Sequence, residues 1–233
     1  MPKIAIVAAL ELEVSGLIRH WHRIKREHQG RNFIFFEQDE VVVVCGGMGV
    51  EAARRAAEAA IALYHPGVLE SVGFAGALHA ALCVGDIFSP AAVIDAGDAS
   101  RTDVEGGKGM LITFPTVAST EQKVKLAEAY GAQAVDMEAA AVAAAARAHG
   151  IPFSATKVIS DGLHFEMPKL ASFIDPEGQF RTLRFAVHVA LRPWLWHRVA
   201  QLAANSNKAE RMLAEHLKAL RPHLSDVTEA KTN

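Results

Sequence analysis

Short apolar runs rich in β-branched residues alternate along this chain with longer segments whose apolar positions recur every three or four residues. That alternation constrains the fold more than any single motif. Residues 4–8 form the first run, and Leu10, Val14, Leu17, Ile18 and Trp21 then recur at helical spacing. Residues 32–36 and 41–45 are β-rich and separated by the polar Glu37-Gln38-Asp39-Glu40, the pattern of a hairpin. Gly46, Gly47 and Gly49 turn the chain into an alanine-rich helix over 50–64, which His65-Pro66-Gly67 stops before a strand over 68–74. Residues 84–96 carry another strand pattern; residues 97–109 are polar, hold Gly106-Gly107 and read as a mobile loop able to cover a site. Ser119 with Gln122 three residues later is a capping box, which opens a helix to about Tyr130. Residues 133–137 then form a strand, 139–149 an alanine-rich helix closed by Gly150, and 153–159 a further strand, a βαβ unit.

Strands that are apolar on both faces need helices above and below them. The sequence therefore predicts an α/β fold, a three-layer α/β/α sandwich around a largely parallel mixed sheet. Beyond Asp161 only helical patterns remain, over 181–191, then, after a break at Arg192-Pro193, over 194–204 and 207–220. This predicts one domain over residues 1–221 with a helical extension from about residue 166, and a flexible tail over 222–233. A net charge of −2 offers no general attraction for nucleic acid or acidic membrane, which points to a small-molecule partner. The first ten residues lack a basic region and a cleavage site, and no apolar run reaches the roughly 20 residues that span a bilayer. A cytoplasmic protein is expected. Cys45 and Cys83 show no ligand spacing and read as reduced and buried. His20 with His22, and His188 with His197, lack a third ligand, so neither metal nor cofactor is expected.

In open parallel sheets ligands bind where the strands end, because loops and helix N-termini converge there. Acids that follow strands are Glu11 or Glu13, Glu138 and Asp161. Glu138 opens a helix, where the dipole favours an ionised carboxylate able to accept from hydroxyls such as those of a ribose. The plainer reading makes it a dipole-complementing residue, and makes Asp161 a turn or N-cap residue before Gly162. Glu11 and Glu13 flank the apolar stripe of their helix on opposite sides, so periodicity does not choose between them.

Six segments in order resemble the purine nucleoside phosphorylase and uridine phosphorylase family, especially its methylthioadenosine/S-adenosylhomocysteine nucleosidase branch. They are Ala8-Ala9-Leu10-Glu11-Leu12-Glu13-Val14, Gly47-Met48-Gly49-Val50-Glu51-Ala52-Ala53, Gly73-Phe74-Ala75-Gly76, Val84-Gly85-Asp86, Val135-Asp136-Met137-Glu138 and Ile159-Ser160-Asp161. The resemblance implies cleavage of a purine nucleoside through an oxocarbenium-like ribosyl group, by a homodimer or higher homo-oligomer. In that scheme Asp161 protonates the leaving base at N7, Glu138 grips the ribose hydroxyls, and Met137 packs against the sugar. Glu13, which precedes Val14 as the family's acid does, activates water. Ser160 orients Asp161, Ala75 and Gly76 line the pocket through their backbone, and the base-stacking loop falls near Val117 and Ala118. Two departures concern the acceptor's surroundings: Phe74 stands where a small hydroxylated residue is common, and Lys157 where an arginine is common. A phosphorylase would need a cationic phosphate cradle. The first strand is followed by none, which favours hydrolysis, with Arg54, Arg55 or Arg101 left as candidate anion ligands.

Gly47-Met48-Gly49-Val50-Glu51-Ala52 also fits a dinucleotide-binding pattern, but the acid expected at the end of the next strand is replaced by Glu70 inside it. A nucleoside-binding protein without catalysis is the third reading. Trp194, Trp196, Phe185, Val189 and Leu195, flanked by Arg192 and Arg198, are read as a core-packing stretch ahead of a subunit interface or membrane contact. That tail resembles one in phosphorylase-like proteins associated with hopanoid synthesis, which would imply an adenosylated lipid as substrate.

Overall fold

The computed structural model describes residues 4–166, 171–173, 175 and 178–221. The chain opens with β1 (Ile4–Ala8), α1 (Glu11–Ile18), β2 (His22–His28), β3 (Arg31–Gln38), β4 (Val41–Cys45) and α2 (Val50–Tyr64). It continues through β5 (Val68–Ala77), β6 (Ile87–Phe88), β7 (Ala92–Asp95), β8 (Arg101–Asp103), β9 (Met110–Thr113), α3 (Thr120–Tyr130), β10 (Ala134–Asp136), α4 (Ala139–Ala148) and β11 (Phe153–Asp161). Two further helices, α5 (Thr182–Ala190) and α6 (Trp196–Leu220), follow.

Eleven strands form one mixed sheet, in which β1 pairs parallel with β4 and β5, and β5 parallel with β11. The expected hairpin is β3 with β4, antiparallel from Phe35 opposite Val44 to Gln38 opposite Val41. Successive residues of a strand point to opposite faces, and both faces here are covered. Ala5, Val7, Val42 and Val44 pack against α2 and α4 on one side, while Ile6, Ala8, Val41 and Val43 pack against α1 and α6 on the other. This is why β1 and β4 read as unbroken apolar runs. Alanines carry the first layer: Ala53, Ala56, Ala57 and Ala60 of α2 share a core with Ala141, Ala145 and Ala146 of α4. On the other side Leu213 and Leu217 of α6 are fully buried. At about 1.5–3 kcal/mol for each large apolar side chain removed from water, α6 belongs to the core rather than hanging off it.

Several expectations need correction. Strand β2 was not legible, because its sequence His-Arg-Ile-Lys-Arg-Glu-His is polar; it sits at the sheet's edge and pairs only with β3 among the described strands. Residues 97–109 do not form the expected lid: Arg101–Asp103 pair with β7, and none of the segment borders the cavity at the ends of β5, β10 and β11. Residues 196–220 form one helix, not two, since Asn205, Ser206 and Asn207 are weak helix formers that neither kink nor stop a helix as proline does. Trp194 and Trp196 are 72% and 55% exposed, so this stretch is not core; only the Trp196 indole is tied down, donating to the Val189 carbonyl at 3.0 Å. Cys83 is exposed and Cys45 partly buried. The expected tail over 222–233 lies outside the described residues. Among the described residues no helix is long and apolar enough to cross a membrane.

Candidate active site

Three strand ends meet at one cavity of about 270 Å³. Its walls include Glu13 of α1, Phe74, Ala75 and Gly76 of β5, Met137 and Glu138 at the junction of β10 and α4, and Ser160 and Asp161 at the end of β11. Val117 and Ala118 form another wall, directly before the capping box that starts α3. Of the residues to which the resemblance gives a place at the site, all but Lys157 border this cavity; Glu11 and the candidate anion ligands Arg54, Arg55 and Arg101 do not.

Glu13 reaches the cavity because its own helix turns it inward. It is the third residue of α1, and its Oε2 accepts from the amides of Ala9 and Leu10, each at 3.0 Å, the second being the N-cap amide that a helix start leaves unpaired. Its Oε1 accepts from the Phe74 amide at 3.0 Å. Gly73 makes that approach possible: its φ is +152°, and a Cβ there would lie 3.0 Å from both carboxylate oxygens. Burial raises the Glu13 pKa, against the lowering influence of these amides and of the Lys157 charge. A buried carboxylate held this way is a stronger base than one in water. Glu11, by contrast, is exposed and lies 3.8 Å from Arg23.

Glu138 does not cap its helix. Asp136 accepts from the Ala139 amide at 2.9 Å, and the Thr113 hydroxyl accepts from the Ala140 amide at 2.9 Å, so the first amides of α4 are satisfied by other groups. Freed from that duty, Glu138 accepts from the Gly49 amide at 2.8 Å and the Met137 amide at 3.2 Å. Burial first, and the Asp136 charge second, push its pKa up to about 8.

Asp161 is the last residue of β11, beyond an irregularity between Ile159 and Asp161 that lets the strand turn its carboxylate toward the cavity. The Ser160 hydroxyl donates to its Oδ1 at 2.7 Å, and Lys123 Nζ donates to its Oδ2. Lys123 also donates to the Gly162 carbonyl at 2.8 Å.

Lys157, expected against the substrate, is instead fully buried behind the cavity. Its ammonium lies 2.9 Å from Asp136 and donates to the Ser71 hydroxyl at 3.0 Å. Burial works against that charge, but Asp136, Glu138 and Glu13 outweigh it and hold the lysine above its usual pKa. It is the counter-ion of the acid cluster. Sequence reasoning did not name Lys123, Thr116, Phe180, Leu202 or Ser206, and gave Phe185, Met48, Leu10 and Leu12 no place at the site. Lys123 did leave a signal: with Leu126, Ala127 and Tyr130 it continues the inward stripe of α3, where an apolar residue is expected. The dinucleotide reading loses its support here, since the Gly49 amide is taken by Glu138, and Glu70 is buried against Arg221 and Thr156.

Such a sheet, with carboxylates that follow three strands gathered around one cavity, defines an α/β protein with a recessed acidic site. The chain belongs to the phosphorylase superfamily, which matches residues 3–117 and 108–184. It spans about half the length of a curated relative, the 5'-methylthioadenosine/S-adenosylhomocysteine nucleosidase of Buchnera aphidicola subsp. Schizaphis graminum, at 26% identity over 126 residues, 53% of each chain. Its fold is that of a mutant Helicobacter pylori nucleosidase holding 5'-methylthioadenosine in its active site, with a TM-score of 0.71 and 16% identity over 96% of this chain and 99% of that one. The futalosine hydrolase of Helicobacter pylori is equally similar, with a TM-score of 0.70 and 17% identity over 95% and 98% of the two chains.

Proposed function

We propose that this protein is a purine nucleosidase that hydrolyses the N-glycosidic bond of a 5'-substituted adenosine. The observation that carries the reading is the convergence of Glu13, Glu138 and Asp161 on one cavity, each carboxylate held by donors from its surroundings. In this scheme the base lies between Asp161 and the wall of Val117 and Ala118, and the ribose sits over Met137 with its hydroxyls on Glu138. Water attacks C1′ from the side of Glu13, which takes its proton, while the purine leaves with a proton from the Asp161 side. General acid and base steps of this kind each contribute about 10²–10⁴-fold.

Water is favoured over phosphate as acceptor by the placement of the arginines. Arg54 and Arg55 pair with Glu51, Arg101 pairs with Asp103, and none of the three lines the main cavity. Phe74 adds an apolar surface next to the backbone amide that holds Glu13. Arg31 and Arg55 border a neighbouring polar recess that shares Ala9 and Leu10 with the cavity, so phosphate dependence is the deciding measurement.

An adenosylated lipid is a second reading of the substrate. It is favoured by the outer wall, where Leu12, Phe180, Phe185 and Leu202 line the cavity and the exposed Trp194 and Trp196 follow on the same helical segment. The test is release of free base from a panel of 5'-substituted adenosines, from 5'-methylthio to long 5'-alkyl, each with and without phosphate. Phosphate-independent release supports hydrolysis. Binding of the nucleosides without release would assign the chain to the binding proteins. A homo-oligomer is part of the same proposal, checked by light scattering in solution.

A further inference from the structure

We infer that Lys123 holds the proton that the leaving base receives and delivers it through Asp161, so that the acid of this site is a lysine–aspartate pair. The inference rests on the nucleosidase reading above. Lys123 acts through Asp161 and is a positioning residue in that sense.

The geometry is that of an ionised carboxylate with donors on both oxygens, the Ser160 hydroxyl on Oδ1 and the Lys123 ammonium on Oδ2. A carboxyl carrying its own proton would have to point a hydrogen at a group that already donates to it, or leave one of them unpaired. The proton available beside the cavity therefore resides on nitrogen. Its placement is not explained by stability. Lys123 is 1% exposed and occupies a stripe position otherwise held by Leu126, Ala127 and Tyr130, where an apolar side chain would pack without removing an ammonium from water. A buried ion pair gives back about as much as its desolvation costs, and apolar replacements are often neutral or better.

The backbone makes room for the pair. A Cβ at Gly76 would lie 2.9 Å from Asp161 Oδ2 and 3.2 Å from Lys123 Cε, so β5 carries a glycine where the two side chains meet. The pair is also tied to the base's expected position, because Lys123 stands on the first turn of α3, immediately after the cavity-lining residues Thr116, Val117 and Ala118. The other charged groups of the site are Glu13 of α1, Asp136 and Glu138 beside α4, and Lys157 of β11, itself paired with Asp136. From the segment of α5 and α6 the cavity receives Phe180, Phe185, Leu202 and Ser206, which carry no charge.

The step balances as follows. The C1′–N9 bond breaks and its electron pair passes to the purine. As N7 takes a proton from Asp161, Lys123 passes its own proton to Asp161, which ends the step ionised as it began, while Lys123 becomes a neutral amine. Water forms the new C1′–O bond and gives its proton to Glu13, and when products leave, solvent returns a proton from Glu13 to Lys123.

The experiment compares kcat–pH profiles of the wild type, K123M, K123R and D161N on two substrates. One is a purine nucleoside that the wild type cleaves, and the other is p-nitrophenyl β-D-ribofuranoside, whose leaving group departs without a proton. With the purine nucleoside at pH 8, K123M is expected to lose about 100-fold in kcat, the scale of a general-acid step. That loss narrows toward acid pH, where solvent supplies the proton in place of Lys123. On the nitrophenyl riboside K123M stays within about threefold of the wild type. K123R keeps the positive charge but remains low on the purine nucleoside, because a guanidinium does not give up its proton. Equal losses on the two substrates, a K123M profile parallel to the wild type, or restored purine turnover in K123R would overturn the inference. K123Q supplies the same comparison if K123M melts below the assay temperature. If the wild type cleaves no purine nucleoside, the nucleosidase reading fails instead.

Discussion

The cavity has two unlike halves. The inner half, made by the ends of β5, β10 and β11 and the start of α1, holds its carboxylates through backbone amides and buried cations: Glu13 on three amides, Glu138 on two, and Asp161 between Ser160 and Lys123. The outer half, from Phe180 through Phe185 to Leu202 and Ser206, is mainly apolar side chains on helices and their connections. Hydrogen bonds have direction and apolar contacts have little, so the inner half is suited to fix reacting atoms and the outer half to select by size and polarity. Chemistry and selectivity should therefore respond to different mutations.

The largest expected effect is in the inner half. Asp161→Asn should lower kcat for a purine nucleoside by about 10³-fold or more, measured well below a thermal midpoint that also falls because the buried Lys123 ammonium loses its counter-ion; near-normal turnover would remove Asp161 from the acid's role. Gly73→Ala comes next, by about 100-fold in kcat, because a Cβ 3.0 Å from both Glu13 oxygens displaces the proposed base without touching substrate. An unchanged rate would mean that Glu13 is structural only.

Glu138 gives the comparison a pH signature. Ribose hydroxyls are accepted more strongly by the ionised form, so affinity for an uncleavable nucleoside analogue should rise as pH increases toward about 8 and then level off, with protons released on binding at pH 7. Calorimetry in two buffers of different ionisation enthalpy reads that release, and its absence would contradict the proposed contact. For stability the sign is opposite. The folded protein keeps this proton to about pH 8, whereas an unfolded chain loses it near the ordinary value of 4.5, so the stabilising contribution at low pH fades as pH rises through that window.

The outer half should answer more weakly. Phe185→Ala is expected to change KM for 5'-alkyl adenosines by about tenfold, in proportion to lost apolar contact, with kcat nearly unchanged. A matching fall in kcat would mean that this wall takes part in the reacting geometry. The smallest effect is reserved for Trp194→Ser, which should leave turnover of short-chain nucleosides within about twofold, since that side chain is 72% exposed.

Much of the architecture was legible from periodicity and caps. The Ser119–Gln122 box is formed as its spacing implies, with Gln122 N donating to Ser119 Oγ at 3.2 Å and Ser119 N to Gln122 Oε1 at 2.8 Å. Both interactions are local, and local rules suffice for them. The polar edge strand β2, the continuity of α6 and the exposure of Trp194 were not legible, because each depends on what lies across space from it. The same division runs through the site. Acids after strands drew attention to Glu138 and Asp161, but Lys123 is 38 residues from its partner, and no spacing rule connects them.

By itself, then, the sequence determined the alternation of strands and helices, the capped start of α3 and the positions at which acids could face a ligand, all of which depend on neighbours within a few residues. Tertiary structure decided which carboxylates face the cavity and what holds each of them. Asp136 takes the helix amide and so releases Glu138, Glu13 turns inward while Glu11 faces solvent, Lys157 withdraws behind the acids, and Lys123 comes forward to Asp161. Charge interactions and desolvation act through space rather than along the chain, and for that reason only the folded arrangement assigns them.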